Sequence, residues 1–289
     1  MNPESDLNYI LQLLDDRDEV VEEALCRELG RRSEADISIL HEMAASETDP
    51  QRRAELRRRL LHFNTILKLQ ALERYGRGGE VSPPLFEGCF LAASLLDMDI
   101  SRDFFTEQFF RCLMEYQEES SAQRTAVEEM QIFNHIFFHR LRFAICDKNL
   151  TNERTALPGN VLMGRKGNQF AITLLYFTMA EEAGLPVYPL FIPGGIVPVY
   201  IEHRREQFYV NLHEQGALFT KPELLRNLRE RSGGEVPKME IIPVRAMLNI
   251  YFESMAVLYD NIGESYKGGL VQRALEALGG RRYFNSEAT

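Results

Sequence analysis

Four cysteines and six histidines are the side chains of this 289-residue sequence with intrinsic reactivity for nucleophilic or metal chemistry. A thiol becomes a nucleophile at neutral pH when a base or a cation sits beside it. Cys146 is the best placed, because Asp147 and Lys148 follow it at the entrance to a long loop over residues 146–167. Cys26, Cys89 and Cys112 fall inside amphipathic stretches, where a thiol acts as a small apolar side chain. His135 and His139, four apart in FNHIFFHRL, share one face of a helix, as the two imidazoles of H-E-x-x-H do. Ile136 stands where that motif needs glutamate and no third ligand is near, so the pair reads as a polar helix edge and no metal or other cofactor is expected. His203 and His213 are isolated in sequence; His213 is the more interesting, since it follows the strand that carries Asn211.

Charge narrows the partners. Arg52, Arg53, Arg57, Arg58 and Arg59 form a stripe opposite Leu56 and Leu60, but it lacks interleaved aromatics and the whole chain carries a net charge of −10. Both features argue against nucleic acid and leave a solvated face or an acidic protein partner. The cysteines are far apart with no C-x-x-C pair, which fits a reducing compartment rather than a disulfide framework. The start, MNPESDLNY, has no basic and apolar leader, and ITLLYFTMA is too short for a membrane span; a cytoplasmic protein without membrane insertion is expected.

The elements that must position these groups follow from periodicity and stop signals. Residues 17–29 form an amphipathic helix through Val21, Leu25 and Leu29 with Gly30 as its stop. Ser33 and Asp36 open a second helix through Ile37, Leu40 and Ala44. Asp49-Pro50 opens a third through Leu56, Leu60, Phe63 and Leu67 toward Gly76. The order is that of a HEAT-like helical hairpin with an extra helix, packed against the rest of the chain. GRGGEVSPP, residues 76–84, is the expected boundary. Three helices follow up to about residue 142, with Phe104, Phe105, Phe109, Leu113 and Tyr116 as core. After the long loop comes a helix over about residues 169–183. VYPLFI, IVPVYIEH and EQFYVNLH then form three strands of a single sheet, the last two joined by a turn near Arg204-Arg205. A helix from Pro222 and two closing helices, about 244–261 and 266–278, complete the chain. AVLYDNIGESYKGGLVQRAL within them resembles one degenerate tetratricopeptide unit.

Across residues 85–278, LFEGCFLAASLLDMDIS, FNHIFFHRLRF, GNQFAITLLYFTMAEEAGLPV, PGGIV and FYVNLHEQGALFT resemble the bacterial SirB-type transglutaminase-like family. The resemblance implies an α+β, predominantly helical protein. Its transglutaminase-like (papain-like) core with a small antiparallel sheet is preceded by the HEAT-like segment and followed by a helical hairpin. The expected divisions are 1–78, 85–220 and 221–289. Such a core starts its central helix with a cysteine and brings histidine and an acid from adjacent strands. The resemblance places Gln169, or Asn168 one residue earlier, at the cysteine position. Gly195 of Pro193-Gly194-Gly195-Ile196 falls at the imidazole, and Asn211 at the acid. Nucleophile, base and orienter are all replaced, so no catalytic residue is assigned. The expectation is a protein- or peptide-binding module using Asn168, Gln169, Gly194, Gly195, Asn211 and His213. The alternative is a thiol hydrolase or acyl-transfer enzyme built on Cys146. Oligomeric state is not legible.

Overall fold

The computed structural model describes residues 3–78, 83–121, 123–147, 150–192 and 194–284. The chain separates into two compact units, 1–71 and 72–289.

The first unit is helical. It comprises α1 (Pro3–Leu13), α2 (Glu19–Leu29), α3 (Glu34–Ser46) and most of α4 (Pro50–Arg77). Local capping sets the helix starts. Asp18 accepts the Val20 N–H (2.8 Å), Ser33 and Asp36 exchange side-chain and backbone bonds as a capping box, and Asp49 accepts the Gln51 N–H (2.9 Å). Leu25, Leu29, Leu40, Ala44, Leu56, Leu60 and Phe63 are buried with Leu7 and Ile10 of α1 and with Leu14 just after it in one core. Four of the five arginines of the stripe are engaged within this unit. Arg52 approaches Asp15 and Glu47 (both 3.5 Å), Arg53 donates to the Glu47 carbonyl (3.3 Å) and Arg58 pairs with Glu55 (2.6 Å). Arg59 donates to the Leu14 and Asp16 carbonyls and lies over the Phe63 ring.

The second unit holds the rest. Helices α5 (Leu85–Leu96), α6 (Arg102–Gln117) and α7 (Ala126–Asn134) come first, α7 running on into a π-helical turn, His135–Arg140. Then follow β1 (Ala144–Asp147), a 3-10 turn (Glu153–Thr155), α8 (Pro158–Gly164), β2 (Lys166–Asn168) and α9 (Gln169–Glu182). The sheet strands are β3 (Val187–Ile192), β4 (Gly195–Glu202), β5 (Arg205–Asn211), β6 (Ala217–Phe219) and β7 (Glu240–Ile241), with α10 (Lys221–Arg231) between the last two. Helices α11 (Ala246–Ile262) and α12 (Ser265–Ala277) pack on each other as a hairpin. The sheet is antiparallel throughout, in the order β6-β5-β4-β3-β7.

Helix α9 is the centre of the unit. Every residue from Ala171 to Ala180 is buried, as an apolar surface all round a helix requires, and α5, α8, α11, β1 and β3 pack against it. Thr173 and Thr178 fit this environment because each hydroxyl donates to the carbonyl four residues earlier.

Three expectations need correction. The stretch 146–167 is not a loop: it contains the 3-10 turn, α8 and β2, and β2 pairs in parallel with β1. Elements of three to seven residues are too short to show a period, although Pro158 at the start of α8 was a signal. The sheet has five strands rather than three and is accompanied by the β1–β2 pair, because β6 and β7 span only three and two residues. Phe104 is 37% exposed, since successive helical positions diverge and Phe105, Phe109, Leu113 and Tyr116 take the inner face. The β4–β5 turn falls on His203 and Arg204, both at positive φ (50° and 62°), near Arg204-Arg205 as expected. Of the expected boundary, residues 79–82 lie outside the described residues, as do Lys148 and Pro193.

Candidate functional site

Three chain segments converge at one end of the sheet: the start of α9, the link between β3 and β4, and the end of β5. Asn168 ends β2 and caps α9. It is fully buried, its Oδ1 accepts the Ala171 N–H (2.8 Å), and its Nδ2 has no partner among the described residues. Gln169 is therefore the first helical residue, where the cap orients the free N–H groups of the helix end. Across from it, Ile192 and Gly195 close the β3–β4 hairpin, and Gly194 sits between them at φ +87°, a conformation that favours glycine. Gly195 has open space where a side chain would begin.

Asn211 ends β5 and holds the turn that follows. Its Oδ1 accepts the N–H groups of His213 (3.1 Å) and Glu214 (3.3 Å), and its carbonyl accepts the Gly216 N–H (2.9 Å). The turn is anchored from below. Asn134, only 3% exposed, donates to the Gly216 carbonyl (2.7 Å) and accepts from the Tyr176 hydroxyl (2.7 Å), tying α7, α9 and the β5–β6 turn together. Burial pushes the Tyr176 phenol well above its ordinary range, which keeps it a donor. Gly216 (φ +86°) is so close that an added Cβ would lie 2.6 Å from Asn134.

Gln169, Gly194, Gly195, Asn211 and His213 all line one cavity of about 160 Å³. Asn168 lies behind the wall as the cap and is not part of the lining. Apolar surface comes from Phe170, Ile192, Val197, Val210, Phe219 and Leu224. Its remaining wall is α10, which sequence reasoning did not connect with the site. Leu224, Asn227, Leu228 and Arg231 all face the cavity, and their i, i+3, i+4, i+7 spacing was the signal that could have found them. Helix α10 is pinned to β5 by Lys221, which donates to Glu206 (2.8 Å), and Tyr209 donates to the same carboxylate (2.6 Å). The bond from Lys221, then that from Tyr209, holds the Glu206 carboxyl below its usual range. On the opposite side the Phe170 ring meets Phe284 (5.5 Å). The N–H groups of Tyr283 and Phe284 donate to Glu253 (2.7 and 2.9 Å), a carboxylate only 5% exposed whose pKa burial raises despite those bonds.

The cavity thus offers amide side chains, a rim imidazole and one guanidinium, with no thiol and no carboxylate among its described lining residues. Cys146 is elsewhere. It is exposed on β1 at an irregularity in the β1–β2 pairing, with no hydrogen-bond partner among the described residues. His135 and His139 do share a face, their rings 5.3 Å apart on the exposed side of the π turn. His203 is in the β4–β5 turn. Among the described residues no three histidine, cysteine, aspartate or glutamate side chains group as a metal site. No described helix is long and apolar enough to cross a membrane.

No curated protein and no solved structure matches the chain. A family model described as the transglutaminase-like superfamily matches residues 105–246, from α6 to the start of α11. That interval contains the start of α9, the β3–β4 link, the end of β5 and the α10 wall, and over it the chain carries a transglutaminase-like superfamily domain.

Proposed function

We propose that this chain is a non-catalytic transglutaminase-like protein of SirB type that acts as a protein- or peptide-binding module in the cytoplasm. The observation that carries the reading is the cavity itself. Gln169, Gly195 and Asn211, the residues that the resemblance sets at nucleophile, base and acid, line it together, and none can supply thiol acyl transfer. A cavity with apolar walls and a few convergent polar groups is what ligand binding needs even without catalysis. The HEAT-like amino-terminal helices and the tetratricopeptide-like pair of α11 and α12 fit an interaction protein. The acidic net charge and the engaged arginine stripe speak against nucleic acid as partner.

Partner capture from a lysate with the natural chain and with Gly195→Glu is the test. The substitution adds a charged side chain at a position with open space. Loss of a captured protein from the variant alone supports the reading. Equal recovery by both proteins would dismiss the cavity and leave the helical surfaces as the binding face.

A further inference from the structure

The chemistry of the cavity narrows its ligand, an inference that rests on the binding reading above. Although the chain has 43 acidic residues against 33 basic ones, no aspartate or glutamate lines the cavity among the described residues, and its one permanently charged side chain is Arg231. That guanidinium makes no ion pair or hydrogen bond with any described residue, whereas Arg52, Arg58, Arg102, Arg140 and Arg281 are all paired. The side chains of Gln169 and Asn227 are likewise without hydrogen bonds among the described residues. Beneath them the walls are apolar: Ile192, Val197, Leu224 and Leu228.

We infer that the cavity binds the free carboxyl terminus of a peptide or protein whose last residue is apolar, with the carboxylate on Arg231 and the last side chain against Ile192, Val197 and Leu224. A planar guanidinium is the side chain best matched to a carboxylate, and the apolar walls give the last side chain a place to leave water. Gln169 and Asn227 each carry a free amide donor and acceptor within reach of the terminal peptide group.

The test uses the full chain and dye-labelled peptides ending in Leu, Phe or Val, each made as free acid and as amide, with binding followed by fluorescence anisotropy. The free acids should bind about tenfold more tightly than the amides. Arg231→Gln should erase that preference while amide binding stays constant, and Arg231→Lys should keep part of it. Arg231 is exposed, and equal thermal melts of the variants would exclude misfolding as the cause. Equal binding of acids and amides would overturn carboxylate recognition and leave the binding reading intact. N-acetyl-leucine, which carries the same carboxylate, apolar side chain and amide group, should displace the peptide, and its failure to do so even in large excess would overturn these contacts as the basis of recognition. If no peptide binds while Gly195→Glu still loses a captured protein, the cavity recognises something other than a carboxyl terminus. If both fail, the binding reading falls as well.

Discussion

The α9 cavity and the β1 strand divide between them what a thiol enzyme needs. The cavity has a capped helix start, a hairpin at close range, a strand end held by a buried network, and no thiol among its described lining residues. The β1 strand has the exposed thiol of Cys146 and no partner for it among the described residues. On the binding reading proposed above, the backbone features of the cavity serve the fold whether or not they serve chemistry. Asn168 terminates β2 and starts α9, and Asn211 turns β5 toward β6, so both are needed whether or not anything is cleaved. The Cys146 thiol is exposed and makes no hydrogen bond with any described residue.

The sharpest way to break this contrast is through the support beneath the cavity. Asn134→Ala leaves the Tyr176 hydroxyl and the Gly216 carbonyl buried and unpaired, and should cost about 2–4 kcal/mol in urea unfolding. Gly216→Ala, with its Cβ 2.6 Å from Asn134 at φ +86°, should cost about as much. Cys146→Ser should shift stability by under about 0.5 kcal/mol. Comparable losses at Cys146 and Asn134 would mean that β1 is as deeply committed to the fold as the cavity floor.

Placing a thiol where the architecture is sharpens the comparison further. Gln169→Cys sets it at the first residue of α9, whose N-terminus stabilises a thiolate, so it should react with iodoacetamide at pH 7 about five- to tenfold faster than Cys146. Equal rates would show that the helix end lends the cavity no electrostatic advantage. In the natural chain Cys146 should be the fastest thiol to react. Burial pushes the Cys89 thiol up to about 12, and burial likewise raises Cys112. Mass mapping of the alkylated protein reads this directly.

Smaller effects test the hairpin and α10. His203 and Arg204 occupy a two-residue turn at positive φ without glycine or asparagine, so Arg204→Gly should stabilise the chain by about 0.5–1 kcal/mol in thermal melts. Glu206, whose carboxyl Lys221 and Tyr209 hold low, contributes stability that is present above the usual carboxylate range and lost as pH falls through its depressed value. Glu206→Gln should therefore flatten the acid side of a stability-against-pH curve, by under about 1 kcal/mol for so exposed an ion pair. An unchanged acid limb would remove Lys221–Glu206 from the devices that hold α10 against the cavity.

Sequence alone determined the helices whose caps and periods are local. Ser33 with Asp36, Asp49 before Pro50, Leu25 and Leu29 above Gly30, and the apolar run of α9 each state their structure within a turn or two of chain. The strands around VYPLFI, IVPVYIEH and EQFYVNLH were legible for the same reason, and so was the replacement of three residues at the positions that the resemblance marks. Tertiary structure decided the rest. Strands of two or three residues, β6 and β7, exist only because a longer neighbour offers its unpaired edge. The β1–β2 pair turned part of an expected loop into a support for α9. Arg231 and Asn227 joined the site only when α10, about fifty residues after the start of α9, was pinned beside the cavity. Capping and periodicity act over a few residues, but a cavity is made by segments far apart in the chain, and only packing brings them together.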